Sequence, residues 1–174
     1  MERVALVLSA GGLRGAAHVG VLKVFERVGL LQQVRVVVGA SAGSIVSAIL
    51  ASGASIPDME QAVLGLKSAS CEDVLDINTG GLRDVACAGD ARRFHGLING
   101  QAITSLVDKN VRHIRRFSDY ATLAPELQDK VKDLLLVGVN LDNGAKTVFC
   151  NTARYTSYKG GKPDIYIRNL ADKK

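Results

Sequence analysis

The chain has 174 residues, is 47% hydrophobic, is 5% aromatic without tryptophan, and carries a net charge of +5. That length suits one domain with a real core, and the apolar fraction excludes a disordered or low-complexity polymer. The scarcity of aromatic rings favours aliphatic packing between helices and a sheet over a sandwich built on aromatic anchors.

Val4 to Leu8 reads as a short buried strand. A glycine-rich turn follows, Ser9-Ala10-Gly11-Gly12-Leu13-Arg14-Gly15, and then a helix from Ala16 to Val28 with Gly29 as its stop. Val34 to Val38 is a second apolar, β-branched strand; a helix from Ser44 runs to near Gly53. Strand, helix, strand predicts two parallel neighbours joined by a right-handed crossover. Ser55 is placed to cap a further helix, with Pro57 in its first turn, running to about Lys67. Residues 71–91 carry turn signals, and Arg92 to Ile98 and Ala102 to Val111 read as two short helices. Asp133 to Leu141 and Lys146 to Cys150 read as strands joined by Asp142-Asn143-Gly144-Ala145, an antiparallel hairpin. Ile165-Tyr166-Ile167 is a weak last strand. The expected fold is therefore α/β, a largely parallel sheet flanked by helices, in one domain spanning residues 1–174.

Between the second strand and its helix lies Gly39-Ala40-Ser41-Ala42-Gly43. In this strand–turn–helix context Gly-x-Ser-x-Gly reads as a nucleophile elbow. Gly39 and Gly43 allow the tight turn, and Ser41 stands at a strand end with a helix N-terminus aimed at it. That N-terminus has free N–H groups and a partial positive charge, which suit an oxyanion. Parallel pairing brings the first glycine turn to the same sheet edge. Gly11 and Gly12 can then offer backbone N–H groups, and Arg14 positive charge, to a carbonyl held over Ser41.

Together these segments resemble the patatin-like phospholipase family. The resemblance rests on Leu6 to Gly15, on Ala17-His18-Val19-Gly20-Val21-Leu22 and on Val38 to Ile45. It continues more weakly through Gly96 to Gly100 and Val137 to Gly144. It implies a lipid acyl-ester hydrolase that uses a Ser-Asp dyad, without a catalytic histidine or any cofactor. Ser41 would be the nucleophile, and Gly11, Gly12 and Arg14 the oxyanion site. Ala10 stands where the family has the first of three glycines. The family's aspartate lies in Asp-Gly-Gly or Asp-Gly-Ala, and neither tripeptide occurs here. The expectation is a C-terminally incomplete or short form, weak or inactive alone because the general base is missing. Asp84, Asp90, Asp142 and Asp164 lack the family context, and Asp142 is expected to shape its hairpin. The rival expectation is a non-catalytic lipid-binding or regulatory member.

Other readings are weaker. A dinucleotide fingerprint would need glycine at Ala10 and an acid ending the second strand. A Ser41–Asp90–His113 triad would place the serine after more strands than the two that precede it. His18 reads as a packed helix residue. Arg112, His113, Arg115 and Arg116, with Arg92 and Arg93 upstream, read as a solvated helix face or a contact for anionic lipid headgroups. Interleaved aromatics for nucleic acid are missing, as is any cluster with metal-ligand spacing. Cys71, Cys87 and Cys150 read as free thiols. No leader-like segment follows Met1, and no apolar run approaches the ~18 residues that cross a bilayer. The expected location is the cytoplasm, with any membrane contact peripheral. Self-association is expected where apolar surface is left bare.

Overall fold

The computed structural model describes residues 4–66, 101–141, 143–150 and 165–169. The elements in chain order are β1 (Val4–Leu8), α1 (Ala16–Arg27), β2 (Val34–Ala40), α2 (Ala42–Ala51), α3 (Ile56–Leu66), α4 (Gln101–Asn110), β3 (Asp133–Val139), β4 (Lys146–Cys150) and β5 (Ile165–Asn169). A short 3₁₀ turn, Gly12–Gly15, leads directly into α1. The expected helix over Arg92 to Ile98 and the turns of 71–91 lie outside the described residues.

The strands form one sheet in sequential order, β1-β2-β3-β4-β5. β1, β2 and β3 are mutually parallel, β4 is antiparallel to β3, and β5 is parallel to β4. The largely parallel α/β sheet expected from the sequence is thus present. Leu8 is in register with Gly39, so the two glycine-rich turns leave the sheet at the same level.

The core lies between one sheet face and the helices. Leu8 and Val37 from the sheet meet Val19 and Leu22 of α1, Val46, Ile49 and Leu50 of α2, and Ile56 and Met59 of α3. Helix α2 touches β1, β2, β3, α1, α3 and α4. Its sequence, Ala-Gly-Ser-Ile-Val-Ser-Ala-Ile-Leu-Ala, has no charged residue, because a helix enclosed on most sides needs no polar face.

Helix ends follow local chemistry. Gly29 adopts φ 73°, and the Leu30 and Gly29 amides donate to the Phe25 and Glu26 carbonyls, a Schellman closure that stops α1 at Arg27. Gly53 at φ 87° closes α2 the same way. Ser55 caps α3: its hydroxyl accepts from the Asp58 amide at 3.2 Å and donates to the Asp58 carboxylate at 2.8 Å. The β3–β4 hairpin turns through Gly144 at φ 69°, with Asn143 Oδ1 accepting from the Ala145 amide. The buried Ser52 hydroxyl accepts from the Arg112 amide, and its carbonyl accepts from the His113 amide, which fixes the chain after α4 to the far end of α2.

Two expectations are corrected in detail. β2 continues through Gly39 to Ala40, because pairing with β1 and β3 persists into the motif. Residues 112–116 are a loop and not a helix face: α4 ends at Asn110, whose side-chain amide donates to the Leu106 carbonyl at 2.7 Å.

The Ser55 hydroxyl, followed by the Arg112 guanidinium, holds the Asp58 carboxyl below its usual 3.8. The stability this contributes is present above that value and is lost as pH falls through and below the lowered one. Asp58→Asn should therefore lower the melting temperature at neutral pH and match wild type in strong acid, as read by thermal denaturation across pH.

Candidate active site

Ser41 occupies the N-cap position of α2 with φ 53° and ψ −124°, among the described residues the one non-glycine residue at positive φ. This conformation lies outside the left-handed well that Asn and Asp visit, and costs on the order of 1–3 kcal/mol. A serine at an N-cap usually turns its hydroxyl back onto the helix. Ser41 makes no such bond, and the residue is exposed. The backbone thus lifts the hydroxyl away from the cap role and toward solvent.

The turn is held by close contact. A Cβ on Gly43 would overlap the Leu8 carbonyl oxygen and come within 2.7 Å of the Ser9 oxygen. A Cβ on Gly39 would lie 2.6 Å from both Ser44 Cα and Ser47 Oγ. One on Gly15 would lie 2.8 Å from the Ala42 Cβ. The two glycine-rich turns are therefore packed directly on each other at the carboxyl edge of the parallel strands. Gly12 adopts φ 54°, and the Arg14 amide donates to the Gly11 carbonyl at 3.1 Å. Gly11, Gly12 and Arg14 are all exposed.

Ser47 was not foreseen from the sequence. It is fully buried beneath Gly39, and its hydroxyl has no hydrogen-bond partner among the described residues. His18 is half-buried, with Nδ1 unpartnered among the described residues. Asp84, Asp90, Asp164 and Asp142 lie outside the described residues.

The basic loop sits at the other end of α2, bound to Ser52, about 15 Å of helix from Ser41. Arg112 pairs with Asp58 at 2.9 Å and Arg115 with Asp108 at 2.6 Å, while the Asp119 carboxylate accepts from the Arg115 and Arg116 amides. Its charge is substantially matched, and it belongs to a different edge from the serine. Among the described residues no three His, Cys, Asp or Glu group as metal ligands, and no helix is long and apolar enough to cross a membrane.

Two glycine substitutions should part sharply. Gly43→Ala should cost about 3 kcal/mol or more, since backbone must move to admit the methyl group. Gly20→Ala, on α1 with nothing within 4 Å of the added carbon, should stabilise by about 0.5–1 kcal/mol. Urea denaturation of the two variants beside wild type checks both.

The family model for patatin-like phospholipase matches residues 6–165. Among solved structures, VipD from Legionella pneumophila superposes with a TM-score of 0.58 at 17% identity, over 87% of this chain and 40% of that one. The type III effector ExoU of Pseudomonas aeruginosa superposes with a TM-score of 0.51 at 20% identity, over 85% of this chain and 35% of that one. The chain thus spans well under half the length of either protein. No curated protein matches the sequence. With most of its length matched by that model, the chain belongs to the patatin-like phospholipase family, whose members are lipid acyl hydrolases.

Proposed function

We propose that the chain carries the nucleophile half of a serine acyl-ester hydrolase site acting on lipids. Ser41 is the nucleophile, Gly39 and Gly43 form its elbow, and backbone N–H groups at Gly11 and Gly12, assisted by Arg14, hold the oxyanion. The observation that carries this reading is the Ser41 backbone: strained, exposed and uncapped. A hydroxyl with no structural duty, at a helix N-terminus beside a second turn of backbone donors, is what acyl transfer needs.

In the proposed reaction the Ser41 oxygen attacks the ester carbonyl carbon. The negative charge that develops on the carbonyl oxygen meets the N–H groups of the first turn. Collapse of the tetrahedral species expels the alcohol and leaves an acyl-serine, which water then cleaves. Each proton transfer needs a base, and general-base help is worth roughly 10²–10⁴-fold. The 174 residues contain no Asp-Gly-Gly or Asp-Gly-Ala in which the family's aspartate would stand. We therefore propose that this polypeptide acylates slowly, and that residues 1–174 act as one patatin-like unit. The missing tripeptide also favours the rival reading, a lipid-binding member without turnover.

A fluorophosphonate probe separates the two. Labelling of wild type that Ser41→Ala abolishes supports a reactive nucleophile. No labelling of a folded wild-type chain that still binds lipid supports the rival. Ester hydrolysis by the chain should be weak; rapid hydrolysis lost on Ser41→Ala would reveal a base elsewhere in the chain.

A further inference from the structure

The β3–β4 hairpin reaches beyond β1 and β2 at the edge that carries Ser41, with β5 alongside it as far as Lys146. β2 and β3 pair as far as Ala40 with Val137. β3 continues to Val139, which is two residues, or about 7 Å, past that last pair, and Leu141 lies farther into the turn. The β3–β4 ladder continues without β2, through Val139 with Lys146 and the Asn140 amide donating to the Ala145 carbonyl. The projecting part exposes two aliphatic side chains: Val139 is 60% exposed and Leu141 93%. At the same edge Leu13 of the first glycine turn is 55% exposed.

An extended apolar tip in water gains nothing for the fold. Asn143 and Gly144 already set the hairpin turn, and neither Val139 nor Leu141 belongs to the core cluster. Among the described residues, Arg14 and Lys146 are cations at this edge, and both are exposed. Between Leu134 and Cys150 the hairpin sequence contains one acid, Asp142. The edge therefore offers bare aliphatic side chains flanked by positive charge, the pairing that fits acyl chains beneath phosphate headgroups.

We propose that the β3–β4 hairpin is a lipid-surface anchor: Val139 and Leu141 enter the headgroup–acyl boundary, Lys146 and Arg14 meet phosphates, and Ser41 faces the same bilayer. This rests on the reading of Ser41 as a lipid-directed nucleophile. It assigns the membrane contact to the serine's own edge, and not to the Arg112–Arg116 loop at the opposite end of α2.

The absence of tryptophan makes the test direct. Leu141→Trp installs a single indole at the tip, excited selectively beyond the absorption edge of the four tyrosines. Its emission should be that of exposed indole in buffer, shift to the blue on addition of phosphatidylcholine–phosphatidylserine vesicles, and be quenched by brominated acyl chains. The double variant Val139→Glu, Leu141→Glu should lose at least about tenfold in partitioning onto those vesicles, since two apolar contacts are lost. Its Ser41 should still label with fluorophosphonate in vesicle-free buffer at the wild-type rate. Partitioning should be weaker onto phosphatidylcholine alone. Blue emission already present in buffer and unmoved by vesicles would show the tip packed against protein and overturn the proposal. So would unchanged partitioning of the double variant, or equal partitioning onto the two kinds of vesicle. Failure of wild type to label would count against the nucleophile instead, independently of the fluorescence.

Discussion

Among the described glycines the tightest constraint is at Gly43, packed against the Leu8 carbonyl. It locks the end of β1 to the first turn of α2, with no room for a single carbon atom between them. The contacts of Gly39 with Ser44 and Ser47, and of Gly15 with Ala42, extend the same interlock. Because the parallel pairing of β1 and β2 sets Leu8 level with Gly39, sheet register and turn geometry support each other. A slip of one residue would present side chains where only glycine fits.

This interlock explains how an unfavourable backbone at Ser41 persists. Neither a side-chain cap bond nor a favourable torsion holds it. The strand before and the enclosed helix after leave the connecting residue one path, and packing energy spread over α2 offsets the local strain. The far end of α2 is fixed as well, by the Ser52 bonds to residues 112 and 113 and by the Lys132 amide on the Ala51 carbonyl. The helix is thus clamped at both ends, and the elbow inherits that rigidity.

Much of this was legible in the sequence. β1 ran over its expected residues, and the hairpin followed from Asn143-Gly144, because left-handed torsions at glycine leave a local signature. The α3 start followed from Ser55, whose capping partner lies three residues on. The nature of residues 112–116 was not legible. A run of arginines has no periodicity that tells helix from loop, and its partners Asp58 and Ser52 lie more than fifty residues away. Ser47 escaped for a related reason: a serine in an apolar helix reads as neutral until its burial is seen. The convergence of the two glycine turns could be argued from parallel topology, but how tightly they mesh is a matter of atomic contact and not of sequence.

Since the Ser41 torsion is enforced by the interior and not by a bond from its side chain, the turn has no separate melting point. Loosening anywhere along α2, even at its distal clamp, would relax the serine toward an ordinary capping pose. The torsion at one exposed residue would then serve as a gauge of how well the whole interior is knit.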